Sequence, residues 1–150
     1  MKPFDPKAKE AGLSLVSELK SLLPGMYVHF GGATMLEISG QNDIDIIILT
    51  DPREYDTYEP VISKVYGQPK KRSTSSITWN FYQESFEVDL HLSNVESVNV
   101  QEQIKVFTLM AQNEDFKNEY NRIKLPYGKI DYKEYMRKKY AFFNKILGLN

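Results

Sequence analysis

The run Ile44-Asp45-Ile46-Ile47-Ile48-Leu49 constrains this chain more than any other stretch. A strand that is apolar on both faces belongs in the interior of a sheet, covered on each side. Asp43 precedes the run, so the strand opens as Asp43-Ile44-Asp45. Side chains alternate faces along a strand, so the two carboxylates project from the same side, roughly 6 to 7 Å apart at the backbone. Ionised carboxylates at the start of a buried strand are costly unless a cation or hydrogen-bond donors compensate them. The strand that best defines the fold therefore also marks a place where a cation is wanted.

Upstream, Met26 to Phe30 reads as a short apolar strand ending at Gly31-Gly32, and Ala33 to Ile38 as an amphipathic turn or short helix before a Gly40 turn. The free backbone N–H groups of a helix start favour an anion such as phosphate. A phosphate cradle and a pair of carboxylates would then face each other across one turn of chain.

The remaining elements follow from periodicity and capping. Asp5-Pro6 caps a helix over residues 6 to 23, with Leu15, Val16, Leu19, Leu22 and Leu23 at helical spacing, stopped by Pro24-Gly25. Asp51-Pro52-Arg53-Glu54 starts a second helix, whose apolar period runs through Tyr58, Ile62 and Val65 to Gly67. Residues 77 to 83 and 86 to 92 are rich in β-branched and aromatic side chains, and Glu84-Ser85 makes a hairpin turn between them. In the second strand Glu87, Asp89 and His91 share one face, with Val88, Leu90 and Leu92 on the other.

From Val100 the pattern turns helical. Ile104, Phe107 and Met110 predict one helix; Asn113 caps a second with Phe116, Tyr120 and Ile123; and Pro126-Tyr127-Gly128 breaks the run. Asp131-Tyr132-Lys133-Glu134 opens a last helix with Tyr135, Tyr140, Phe143, Ile146 and Leu147 on its apolar face. The expectation is a single α+β domain over 1–150: a mixed, mostly antiparallel sheet of four or five strands flanked by helices, with a core over about 1–95 and a helical tail over about 98–150.

Composition narrows the chemistry. Nineteen basic against twenty acidic residues leave a net charge of −1, so no overall positive field gathers nucleic acid and no extended nucleic-acid surface is evident. The absence of cysteine removes disulfides, thiolate zinc sites and thiol nucleophiles. No run approaches the roughly 18 apolar residues of a membrane span, and the N-terminus has no apolar signal core, so the expected compartment is the cytoplasm with no membrane partner.

Asp43, Asp45 and Asp89 are the acidic positions that invite one metal site. Hard divalent cations, magnesium or manganese, take oxygen ligands and are commonly held by carboxylates together with substrate phosphates. A carboxylate beside such a site can also accept the proton of an attacking hydroxyl. Lys70-Lys71-Arg72 is the compact basic cluster near the sheet and a candidate for neutralising a polyphosphate, although a charged loop is more commonly just solvated. His91 shares the face of Asp89 and is a candidate contact to phosphate or acceptor. His29 and Trp79 read as structural. Tyr120, Lys124, Tyr135 and Lys139 could close over a ligand from the helical tail.

Gly31-Gly32-x-Thr34, then Gly40-Gln41-Asn42-Asp43-Ile44-Asp45-Ile46, then Asp89 on a later strand, resembles the nucleotidyltransferase superfamily that includes DNA polymerase beta. Over most of the chain the nearer resemblance is to the GrpB family, carried by His29-Phe30-Gly31, Leu90-His91-Leu92, Phe107, Glu119-Tyr120 with Lys124, and Asp131, Tyr135 and Lys139. The resemblance implies a metal-dependent transfer of a nucleoside monophosphate from a nucleoside triphosphate to a hydroxyl of a small molecule, protein or RNA. It also implies that Asp43, Asp45 and Asp89 are the catalytic and metal-binding residues. Gly31, Gly32, Thr34, Lys71, Arg72 and His91 would serve the nucleotide.

The superfamily usually carries serine where this chain has Gly32, so a side-chain hydroxyl contact to phosphate is missing there, with Thr34 as its partial substitute. Two other readings stay open: a nucleotide-binding module without turnover, and an antitoxin-like interaction module on the same fold.

Overall fold

The computed structural model describes residues 1–126 and 129–149. Its helices are α1 (Pro6–Leu22), α2 (Gly32–Met35), α3 (Tyr55–Tyr66), α4 (Val98–Ala111), α5 (Glu114–Lys124) and α6 (Tyr132–Leu147). The strands are β1 (Tyr27–Gly31), β2 (Ile44–Thr50), β3 (Lys71–Arg72), β4 (Ser76–Gln83) and β5 (Phe86–Asn94). The expected break at Pro126-Tyr127-Gly128 falls partly on Tyr127 and Gly128, which lie outside the described residues.

The capping chemistry read from the sequence sets the helix starts. Asp5, Asn113 and Asp131 each accept a backbone N–H in the first turn of α1, α5 and α6, and Ser97, which the sequence reading does not single out, does the same for α4. The expected Ala33–Ile38 helix is corrected to the four-residue α2, because Glu37 turns left-handed at φ +61° and ends it. An edge strand, β3, is added; two residues are too few to leave a periodic signature.

One sheet with the order β1-β2-β5-β4-β3 results, antiparallel throughout except for the parallel pair β2 and β5. The parallel pair needs a crossover, and α3 belongs to it, following β2 through a short 3-10 turn at Pro52–Glu54. The buried alternation on β2 and β5 assigns the two faces. Ile44, Ile46, Ile48, Val88, Leu90 and Leu92 look one way, into a core shared with Leu15 and Leu19 of α1, Ile62 of α3, and Trp79.

Asp45, Ile47, Asp89, His91 and Ser93 look the other way. Over that side lies a second apolar cluster built from α4, α5 and α6, with Phe107, Tyr120, Phe142 and Phe143 packed edge-on or stacked around Leu36. The sheet is thus covered on both faces, as the Ile-rich strand requires. Among the described residues no helix is long and apolar enough to cross a membrane.

Trp79 is fully buried, and its indole N–H donates to Ser63 Oγ at 3.1 Å, pinning α3 to β4. Ser63→Ala leaves that N–H without a partner in an apolar setting and is expected to cost about 1 to 2 kcal/mol by chemical denaturation.

Candidate active site

The register of the sheet brings the three aspartates together. Asp45 on β2 is paired directly with Asp89 on β5, and Asp43 stands just before β2, two residues from Asp45. Each offers a carboxylate oxygen, and these three atoms all lie within 4.8 Å of one another. Sequence separation gives no hint of this closeness; parallel pairing of two strands supplies it.

The backbone around Asp43 is held from two sides. Thr34 is buried at 1% exposure, and its hydroxyl donates to the Asp43 carbonyl at 2.5 Å. Thr34 therefore faces inward and holds Asp43. On the other side, Asn42, left-handed at φ +56°, accepts from the Asp5 amide at 2.9 Å and donates to the Pro3 carbonyl at 3.0 Å. Lys2 and Gly40 add a two-way backbone bridge. The N-terminal arm and the loop that presents Asp43 form one tied unit.

Gly32 accounts for the departure at the serine position. Its φ is +80°, and a Cβ placed on it would overlap Asp45 Oδ2. The Asp45 carboxylate occupies the space that a side chain at residue 32 would need. Gly31 and Gly32 line the site through their backbone alone.

Burial and mutual repulsion shape the acidity of the cluster. Burial first, then the Asp43 and Asp89 charges, push the Asp45 carboxyl up to about 7, and burial also raises Asp43. Two lysines oppose that charge. Lys124 Nζ donates to the Ser39 carbonyl at 3.0 Å, lies 5.4 Å from the centre of the Tyr120 ring, and interacts electrostatically with Asp43 and Asp45. Lys139 Nζ lies 5.5 Å from the Phe143 ring centre and interacts with Asp45. Burial lowers the pKa of both lysines, and the neighbouring carboxylates work against that change.

Asn80 was not legible as a site residue. It faces Asp89 across the β4–β5 pair, and its Nδ2 donates to Asp89 Oδ1 and to Glu87 Oε1, each at 2.9 Å. One carboxamide thus steadies two carboxylates. His91, two residues beyond Asp89, lines the same cavity and is hydrogen bonded through Nδ1 to Thr78 Oγ1 at 3.0 Å, with its pKa lowered by burial. His29 is buried on β1 with its Nε2 unpartnered among the described residues.

Lys71 and Arg72 are placed elsewhere. They form the far edge strand, β3, separated from β2 by β5 and β4, or about 14 Å of sheet. Arg72 is in register with the core-facing Ile77 and pairs with Glu59 of α3, on the opposite side of the sheet from the aspartates. Lys71 shares the face of Thr78, but at the rim. Neither lines the cavity. The cations of the site come instead from the helical tail.

That cavity measures about 1130 Å³ and lies between the sheet and α4 to α6. Its lining includes Gly31, Gly32, Asp43, Asp45, Lys124 and Lys139. Three converging carboxylates with only oxygen donors, carrying more negative charge than two lysines outside ion-pair contact can cancel, fit a hard divalent cation.

A family model described as GrpB protein matches residues 1–148. No curated protein matches the chain. Among solved structures, the Cid1 poly(U) polymerase with MgGTP bound is 16% identical with a TM-score of 0.57, over 81% of this chain and 43% of that one. A second Cid1 structure, described by its RNA terminal uridylyl transferase activity, is 20% identical with a TM-score of 0.53, over 83% and 41%. The chain spans less than half the length of these Cid1 chains.

Proposed function

This chain belongs to the GrpB family and has the nucleotidyltransferase fold, and on that premise we propose that it is a metal-dependent nucleotidyltransferase. It moves a nucleoside monophosphate from a nucleoside triphosphate to a hydroxyl acceptor. The observation that carries this reading is the convergence of Asp43, Asp45 and Asp89, whose oxygens lie within 4.8 Å of one another beside two half-buried lysines.

Asp43, Asp45 and Asp89 would hold magnesium or manganese. When bound, such an ion neutralises charge on carboxylates and phosphates and helps align the reacting oxygens. The chain's own residues do the rest. The backbone of Gly31 and Gly32, which lines the cavity beside the carboxylates, faces the triphosphate. Lys124 and Lys139 face the charge of the leaving pyrophosphate. Asp89, steadied by Asn80, accepts the proton of the acceptor hydroxyl as its oxygen forms a bond to the α-phosphorus. The bond from the α-phosphorus to the β-phosphate bridging oxygen breaks, and pyrophosphate leaves with that oxygen. Positioning and electrostatics supply the acceleration.

The choice of label tests the reaction. Parallel incubations with α- and γ-labelled triphosphate are expected to place the α-label on the acceptor and the γ-label in pyrophosphate; γ-label on the acceptor would make the protein a phosphotransferase instead. Within the same assay Lys124→Met is expected to weaken triphosphate binding about tenfold, the loss of one charge-assisted contact. Arg72→Ala, which removes the partner of Glu59, is expected to change that binding less than twofold. Comparable effects of the two would return the sheet-edge cluster to the site.

A further inference from the structure

Resting on the donor site just proposed, we infer that the acceptor is a small polyhydroxyl compound without a phosphate group, about two rings long, seated on a hydroxyl-lined ledge formed by Ser76, Ser93 and the start of α4.

Direction comes first. Transfer in line places the attacking oxygen opposite the leaving pyrophosphate. The backbone approach at Gly31 and Gly32 lies on the β1 and β2 side of the carboxylates, and both lysines interact with Asp43 or Asp45. The acceptor therefore arrives from the β5 and β4 side, over Asp89. On that side the same face of the sheet continues from Asp89 to His91 and then to Ser93, which is in register with Ser76 across the pair.

The chemistry of that half differs from the donor half. Ser93 is 4% exposed, lines the cavity, and its hydroxyl has no hydrogen-bond partner among the described residues. A serine at the cavity wall whose hydroxyl is not spent on a protein partner is free to bond a group bound there. Ser97, Asn99 and Glu102 of the α4 start complete the wall. Among the described residues the only lysines lining the cavity are Lys124 and Lys139, and no arginine lines it. A phosphate backbone is held mainly by Lys and Arg, and this half offers none. Neutral hydroxyls, a carboxamide and a carboxylate suit hydroxyl and amine groups.

Size agrees. At about 1130 Å³ the cavity exceeds the roughly 300 to 1,000 Å³ of a pocket for one small ligand, leaving room for an acceptor beside the triphosphate. Ser93 stands four residues beyond Asp89, about 13 Å along the strand. An acceptor with one hydroxyl at Asp89 and others at Ser93 spans about two rings once the side chains have reached inward. The reacting hydroxyl loses its proton to Asp89, forms the new bond to the α-phosphorus, and pyrophosphate departs.

The test offers the full chain, with magnesium and α-labelled triphosphate, two pools of acceptors. One holds trehalose, maltose, lactose, adenosine and uridine; the other holds a 15-nucleotide RNA and an unfolded protein rich in serine and tyrosine. Calorimetry measures triphosphate binding on the same samples. The expected result is label on the first pool, with Ser93→Ala or Ser76→Ala raising the acceptor KM about tenfold while the triphosphate Kd stays unchanged. Label on the RNA or the protein overturns the inference. So does a first pool left unlabelled while triphosphate still binds, or an acceptor KM that neither serine variant moves; in these cases the donor-site reading stands. Failure of metal-dependent triphosphate binding itself removes that reading instead.

Discussion

Asp45→Asn is expected to lower kcat/KM for nucleotidyl transfer on the order of 10³-fold, about 4 kcal/mol of transition-state stabilisation, while making the metal-free protein more stable at pH 8. Both halves come from the same geometry. Asp45 is wedged between Asp43, Asp89 and the Gly32 backbone, and burial with like charge raises its carboxyl to about 7. A carboxyl whose folded pKa lies above its unfolded value binds more protons when folded. Stability therefore falls as pH rises from about 4 to about 7, and the cost is fully present above that window. A rise from the ordinary 3.8 to about 7 corresponds to about 4 kcal/mol as an upper bound.

The neutral amide removes that cost along with a metal ligand. In urea denaturation with a chelator, the variant should exceed the wild type at pH 8 and match it near pH 4. Magnesium should narrow the gap at pH 8 by stabilising only the wild type. A variant less stable than wild type at pH 8 would mean that the carboxylate makes favourable contacts the cluster does not reveal.

Gly32→Ser restores the residue usual in the wider superfamily and is expected to damage this chain. At φ +80° any side chain meets the left-handed penalty, about 1 to 2 kcal/mol. The new Cβ must also displace the Asp45 carboxylate, so activity should drop about 100-fold with metal affinity falling alongside it. Gly25→Ser is the matched control. Gly25 has the same φ of +80°, but nothing lies within 4 Å of its added Cβ. The control should lose similar stability and keep its activity. Equal activity in the two variants would show that the Gly32 position has no hold on Asp45.

These expectations separate what the residues announce from what only the fold supplies. The Ile-rich strand, the alternation over the strand that starts at Phe86 and the helix caps at Asp5, Asn113 and Asp131 are local, so periodicity and capping chemistry expose them. The pairing of Asp43 and Asp45 is equally local, a matter of two residues, one just before β2 and one on it. Asp89 is different: alternation assigns its face, but only the parallel register of β2 with β5 sets it beside Asp45.

Asn80 is hidden from the sequence for the same reason, since its role arises from standing opposite Asp89 in an antiparallel pair. Alternation of Ser76, Thr78 and Asn80 against Ile77, Trp79 and Phe81 assigns its face but not its partner. Lys70-Lys71-Arg72 is compact in sequence, yet the sheet order carries Lys71 and Arg72 to the far edge. Lys124 and Lys139, fifteen residues apart on different helices, come near the carboxylates because Tyr120, Phe142 and Phe143 dock α5 and α6 together. Thr34 answers a different need from the one its spacing suggests, holding the Asp43 backbone through its hydroxyl.

The most direct test of the central claim is calorimetric titration of magnesium with each of the four common nucleoside triphosphates, on the wild type and on Asp43→Ala/Asp45→Ala. The account predicts metal-dependent triphosphate binding in the wild type and its loss in the double variant. Binding that is absent from the wild type, or that survives removal of both carboxylates, would contradict it.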